Sequence, residues 1–317
     1  MSIVSGFRRW LRVPTPGTAA APDPAAAKAA IEAVHGPWTA HNCKVAEGLW
    51  TIRERSVNFD EKTRRCVRIV QDFFGSDLRG LRVLDLGAGE GGLSLELAAQ
   101  GAQVVCVEGR QLNVAKAEFA AAALGLAIEL RCADVRQLRG DESYDVVVCY
   151  GLLYHLDADS AVHLLETIGR VAARLLVLDT HFSLQGEDEV AVDGRRYRGH
   201  RVREYEAGTA ADDVARIPWA SLHNDTSFWL SKPSLCNLLT RSGFNTVYEV
   251  AAPLVYDFWD RQSEARTKYR DRSTFVAVKS TATPMITVPQ VEGVPARELP
   301  EDIEEQLVTW PHTAAKS

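Results

Sequence analysis

The amino-acid sequence predicts an α/β protein: a doubly wound, seven-stranded, mostly parallel sheet carrying an inserted hairpin-containing segment. Two observations carry this reading. The hydrophobic period switches repeatedly between helical spacing and short β-branched runs bounded by Gly, Asp or Asn. One such run, Leu81 to Leu86, passes directly into the glycine-rich stretch Gly87 to Gly92, giving strand, turn and helix start in succession.

Taken in order, residues 14–29 are dominated by Pro and Ala and read as linker, so residues 1–30 are expected to be a flexible segment. Helices are expected over 60–75, 91–100, 111–124, 158–173 and 232–242, where apolar residues recur three and four apart. Strands are expected over 82–86, 103–107, 127–131, 145–149, 174–179, 245–251 and 273–279. Alternation of this kind makes residues 60–280 a single domain with helices on both sheet faces. The order of the last strand is left open, an antiparallel insertion being compatible with the pattern. Residues 184–230 break the repeat: two strand-like pieces flank Asp193-Gly194, a hairpin signal, and are expected to form a substrate-covering insertion over the sheet's edge. Residues 281–317, with five prolines and an acidic stretch, are expected to be an extended tail.

Of the 317 residues 46% are hydrophobic and 25% charged, which excludes disorder over the whole length. A formal net charge of −6 gives no global basic field to draw in nucleic acid. The six cysteines show no CxxC spacing, so a reducing, cytoplasmic setting without structural zinc is expected. No apolar run approaches the ~20 residues of a bilayer span, and no membrane role is expected.

The chemistry concentrates in the glycine-rich stretch. Gly87, Gly89 and Gly92 satisfy GxGxxG, whose glycines allow a tight turn and close ligand approach at a helix N-terminus. Glu108 ends the next strand, where a carboxylate can accept ribose hydroxyls. Together they point to an adenosine-containing ligand. Asp85, just before the turn, would repel a pyrophosphate but suits an ammonium or sulfonium.

At these residues the sequence resembles the class I S-adenosylmethionine-dependent methyltransferases. Val83-Leu-Asp-Leu-Gly-Ala-Gly89 resembles their first motif, Glu108 the second-strand acid, Cys132-Ala-Asp-Val135 the adenine-side motif and Tyr144 to Gly151 the fourth-strand motif. The resemblance, over about residues 60–280, implies a Rossmann-like fold and S-adenosylmethionine as cofactor. It implies cofactor contacts from Asp85, Gly87, Ala88, Gly89, Glu108, Gly109, Asp134, Val135, Tyr150 and Gly151. The stretches Leu152 to Leu156, Asn224 to Trp229 and Ser242 to Phe244 look like the subset acting on hydroxyls of sugars and small metabolites, a related subset modifying a tRNA wobble uridine. Trp38 to Asn42 resembles an N-terminal segment closing over the site, which makes residues 31–59 a lid. Expected substrate residues are Trp38, His41, Asn42, Tyr154, His223, Asn224, Asp225 and Trp229.

The implied reaction is methyl transfer to a hydroxyl of a sugar, glycan or secondary metabolite. An alcohol needs its proton removed, so a base or a metal is expected. His181, just beyond the fifth strand of the domain, is the favoured base, with His155, Asp179 and His223 as further candidates. Asp179, His181 and Asp225 could together hold magnesium, although a strand-end Asp and a capping Asp also explain them, so no metal residue is assigned. The run Arg195 to Tyr205 holds five arginines; it fits an RNA contact or, more simply, a solvated hairpin face flanked by acids. Trp219, Trp229 and Trp259 offer platforms for sugar rings. A tRNA modification enzyme and a non-catalytic cofactor-binding module are the alternative functions. A small-molecule or glycan acceptor is the expected partner, and a homo-oligomer is left open.

Overall fold

Seven strands form one sheet whose middle is built from the most apolar runs of the chain. A computed structural model describes residues 23–52, 61–214, 216–217, 219–250, 271–280 and 298–299. Readings for residues 1–22 and Trp259, and for the tail from residue 281 apart from Glu298 and Leu299, lie outside the described residues.

In chain order the structure begins with α1 (Pro24–His35) and a small hairpin of β1 (Lys44–Ala46) and β2 (Leu49–Trp50). The core follows as α2 (Glu61–Phe74), β3 (Arg82–Leu86), α3 (Gly92–Ala99), β4 (Gln103–Glu108), α4 (Gln111–Leu124), β5 (Glu129–Cys132) and β6 (Tyr144–Tyr150). Then come α5 (Ala158–Val171), β7 (Ala172–His181), β8 (Asp188–Val192), β9 (Arg195–Arg203) and a short α6 (Ala211–Val214). The chain continues through β10 (Thr226–Leu230), α7 (Lys232–Arg241), β11 (Thr246–Glu249) and β12 (Arg272–Val278).

The large sheet has the order β11-β12-β7-β6-β3-β4-β5. Strands β3 to β7 pair in parallel, and β12 is antiparallel to both β7 and β11. Each of the seven expected strands is present. Alternate strand residues feed two cores, as the two-residue side-chain period requires. Val83, Val104, Val146 and Val148 pack with α2, α3 and α4 on one face. Leu84, Val105, Val147 and Leu176 pack with α5 and α7 on the other. Burying such a side chain contributes about 1.5–3 kcal/mol, so this double-faced centre anchors the loops at the strand ends.

The segment after β7 forms its own antiparallel sheet in the order β10-β9-β8. Asp193 and Gly194 both have positive φ, 48° and 75°, as a two-residue mirror-type hairpin turn requires. Tyr197, Phe228 and Leu230 bury this sheet in the same core as α5. β10 is a strand that is not among those expected from the sequence.

Residues 24–29 correct the linker reading, because they form the start of α1. Asp23 caps the helix by accepting from Ala25 N, and Pro24 sits at its first position, where the missing N–H costs nothing. The alanines that resemble a linker are also the strongest helix formers. Among the described residues no helix is long and apolar enough to cross a membrane. All six cysteines are free thiols.

Candidate active site

The carboxyl ends of β3, β4, β6 and β7 open on the same rim, and the site is built from what they present. At β3, Asp85 is almost fully buried and accepts a hydrogen bond from Ser94 Oγ of α3 at 2.6 Å. Burial pushes its carboxyl up to about 6, against the Ser94 hydrogen bond and with the help of nearby Glu108. The turn that follows needs glycine: Gly87, Gly89 and Gly91 have φ of 70°, 56° and 83°.

Glu108 closes that turn against the next one. Its two carboxylate oxygens accept from Gly89 N and Arg110 N, each at 2.8 Å, leaving lone pairs on both for further donors. On the far side, Asp134 caps a short turn over residues 135–137, accepting from Arg136 N, and its Oδ2 faces His223 Nε2 at 3.5 Å. Burial raises its carboxyl, but the Arg136 hydrogen bonds outweigh that and hold it below the usual range. Val135 is buried beside it.

The N-terminal segment lies on the glycine-rich turn through a residue that sequence reasoning missed. Glu90 is buried and accepts from Thr39 N, Ala40 N and His41 N, at 2.8 to 2.9 Å. Lys116 of α4, equally buried, pairs with it at 3.1 Å. Burial favours the neutral acid, yet these donors keep the Glu90 carboxyl below its ordinary range. The segment so held places His41 Nδ1 3.0 Å from Gly92 N, which donates to it. Of the expected N-terminal trio, His41 lays its side chain against Gly89 and Gly92. Trp38 packs on Phe119 with ring centroids 5.5 Å apart, and Asn42 Oδ1 accepts from Ile52 N, closing the β1–β2 hairpin.

At the ends of β6 and β7 a second cluster forms around His181. Its ring stacks on Trp229, with centroids 4.5 Å apart and planes 21° from parallel, and meets the Tyr154 ring edge-on at 4.7 Å. Nε2 lies 3.4 Å from an Arg272 amino group, and Nδ1 lies 3.3 Å from Asp271 Oδ1, close but off a hydrogen-bonding line. Burial and then the Arg272 charge push the imidazole below its ordinary range, Asp271 opposing them. Burial and the Arg272 charge both favour the neutral imidazole over the imidazolium.

Asp179 does not present a free carboxylate. Arg272 Nε and a terminal amino group donate to its Oδ1 at 2.7 and 2.5 Å, and Thr274 Oγ1 donates to Oδ2 at 2.9 Å. Asp225 accepts from Thr226 Oγ1 at 3.0 Å. The magnesium set of Asp179, His181 and Asp225 is thus not assembled among the described residues, since a guanidinium occupies the Asp179 position where a cation would have to sit.

The other expected residues divide between the two clusters. Tyr150 ends β6 with its hydroxyl 3.4 Å from Thr274 Oγ1, and Gly151 N donates to the Asp179 carbonyl. His155 Nδ1 lies 3.0 Å from Glu204, which also accepts from Ser221 N. Asn224 Nδ2 donates to the His155 and Thr226 carbonyls. His223 sits at the Asp134 end, away from the expected acceptor position. Sequence reasoning missed Glu90, Lys116, Glu204 and Arg272. Three of the five arginines of β9 face acids: Arg196 faces Glu189, Arg201 Asp188 and Arg203 Glu206.

Residues 83–174 match the family model described as a methyltransferase domain. A ubiquinone biosynthesis O-methyltransferase of Bradyrhizobium diazoefficiens is 40% identical over 79 residues, 25% of this chain and 31% of that protein. The Rhodopseudomonas palustris protein of the same description is 35% identical over 98 residues, 31% of this chain and 37% of its own. The chain therefore matches only about a third of the length of these relatives. The crystal structure of the N-terminal domain of EvdMO1 in the presence of SAH and D-fucose aligns with a TM-score of 0.59 at 26% identity, covering 82% of this chain and 97% of that one. The same domain with SAH bound aligns at 0.60 and 25% identity, covering 82% of this chain and 98% of the other. Sheet order, glycine-rich turn, family match and SAH-bound neighbour agree, and the core of this chain is a class I S-adenosylmethionine-dependent methyltransferase domain.

Proposed function

We propose that this chain transfers a methyl group from S-adenosylmethionine to a hydroxyl oxygen of a sugar, glycan or related secondary metabolite, with His181 as general base. The residues present fit the cofactor. Glu108 retains acceptor capacity for ribose hydroxyls, and the turn of Gly87, Ala88 and Gly89 runs close to Leu152 and His41, where a Cβ at Gly87 or Gly89 would stand 3.1 or 3.2 Å from them. Asp85 is a buried carboxylate suited to the cationic end of the cofactor, and Asp134 with Val135 stands at the adenine end. Gly109, Tyr150 and Gly151 border the same space. The cofactor supplies an activated methyl on a sulfonium, and everything else falls to the protein.

One observation carries the acceptor side. His181 stands at the carboxyl end of β7 between Trp229 and Tyr154, where burial and the Arg272 charge favour its neutral form. A neutral imidazole can take the proton of an attacking alcohol, while the two aromatic rings present a face for a sugar and exclude water. Holding the oxygen in line with the methyl supplies much of the rate. The EvdMO1 domain, crystallised in the presence of D-fucose and aligned over 97% of its length, supports a sugar acceptor more than the partial match to ubiquinone biosynthesis O-methyltransferases supports theirs. The acid partners of three of the five β9 arginines weigh against the tRNA alternative.

The test is formation of S-adenosylhomocysteine by the purified full chain with pooled monosaccharides and oligosaccharides, with phenols, and with bulk tRNA. Turnover on the sugar pool supports this reading. Turnover on tRNA alone replaces it, and binding of cofactor without turnover on any pool favours a non-catalytic module.

A further inference from the structure

We propose that residues 219–223 of the insertion are the roof over the adenine end of the cofactor pocket, with Leu222 as its apolar contact, rather than part of the acceptor pocket. This rests on the cofactor reading above and refines it, since the whole insertion is otherwise expected to cover the substrate. Three anchors set the stretch there. The Arg110 guanidinium, directly after Glu108 and Gly109, donates to the Ala220 carbonyl at 2.7 Å and to the Ile217 carbonyl at 2.9 Å. Leu222 comes down on Gly109 so closely that a Cβ there would stand 2.5 Å from Leu222 Cδ1, with the Ala133 carbonyl 3.9 Å away. His223 faces the Asp134 carboxylate.

The glycine at 109 is not demanded by its backbone conformation, because its φ is outside the left-handed region. It is demanded by space: a bare backbone lets the leucine approach the crevice between the ends of β4 and β5. That crevice lies between the carboxylate available to ribose and the one at the adenine end. An aliphatic side chain over a π-face is the contact an adenine needs there, because the polar edge of the base is left to other donors and acceptors. Ser221 then ties the roof to the acceptor side, its N–H donating to Glu204, the partner of His155.

The experiment is calorimetric binding of S-adenosylhomocysteine and of 5′-methylthioadenosine, which shares only the adenosine end, to the wild type, Leu222→Ala, Gly109→Ala and the double variant. Leu222→Ala should weaken both ligands by the same factor, about five- to tenfold. Gly109→Ala, which displaces the leucine, should weaken them in the wild-type background and add nothing in the Leu222→Ala background. Unchanged or tighter binding by Leu222→Ala, or additive losses, would overturn the roof. A wild-type protein that binds neither ligand would overturn the cofactor reading itself and the roof with it. Unchanged thermal melting of the single variants keeps the comparison free of folding effects.

Discussion

Arg272 and Asp179 are joined by two hydrogen bonds at the mouth of the site, although 93 residues separate them in sequence. The pair does two things at once. It neutralises a buried carboxylate at the end of β7, and it sets a positive charge 3.4 Å from His181 Nε2 that disfavours the imidazolium.

Replacing Arg272 with Met should therefore raise the His181 titration toward its ordinary range. Wild-type kcat/KM should stay level well into the acid side of the usual histidine range, since the base is active above its depressed pKa. In the variant the acid limb should move to higher pH, as a pH–rate profile would show. Leaving Asp179 buried without its partner should also cost about 3–5 kcal/mol of stability. The double variant Asp179→Asn, Arg272→Met removes that uncompensated charge and should recover much of the loss in a thermal melt while keeping the shifted profile.

Asp85→Asn should stabilise the cofactor-free protein and weaken cofactor binding. A carboxyl raised to about 6 by burial carries an ionisation cost of ~3 kcal/mol near neutral pH. The sign follows: the folded state binds this proton more tightly than the unfolded chain, so the group's effect on stability is most favourable in acid and declines as pH rises through about 6. Cofactor affinity runs the other way, falling as pH drops below that value, because the cationic ligand prefers the ionised form. Melting curves and calorimetry across pH 5–8 test both trends.

Glu90→Ala should release the N-terminal segment from the glycine-rich turn. It removes the acceptor of three backbone N–H groups and strands Lys116 in the core, a loss of about 3–5 kcal/mol. Faster proteolysis near residues 36–42 with the core still folded would show the release. Glu90→Ala combined with Lys116→Met should melt higher than Glu90→Ala alone while remaining protease-sensitive at the same place.

Transfer to bulk tRNA should be absent. Three of the β9 arginines that resemble a nucleic-acid contact lie 2.9 to 3.5 Å from acids of the insertion. A filter-binding measurement at low salt should find no tight tRNA complex, and a steep salt-dependent one would contradict this.

Local signals were legible in the sequence. The expected helix over 111–124 is α4, and the strand over 82–86 is β3, because both are bounded by residues that stop or start such elements. The turn from Gly87 to Gly92 was legible for the same reason. Partnerships between distant residues were not. Arg272 opens the strand that inserts antiparallel between β7 and β11, so its meeting with Asp179 depends on a topology that no periodicity reveals. Glu90 stood in the glycine-rich stretch as an unspecified position, and its meaning comes from Lys116 and from backbone amides some 50 residues away. On sequence grounds His181 is the favoured base and His223 a further candidate, and the surroundings of each come from the fold, His223 turned toward Asp134 and His181 onto Trp229.

The most direct measurement is transfer of labelled methyl from S-adenosylmethionine to a pool of sugars by the wild type and by His181→Gln, with cofactor affinity determined for each. Label is expected in a hydroxyl-bearing sugar with the wild type, and His181→Gln should transfer it about 10²- to 10⁴-fold more slowly at nearly equal cofactor affinity. Equal transfer by both proteins, or no label in any sugar from a wild type that binds cofactor, would contradict a histidine-assisted sugar O-methyltransferase.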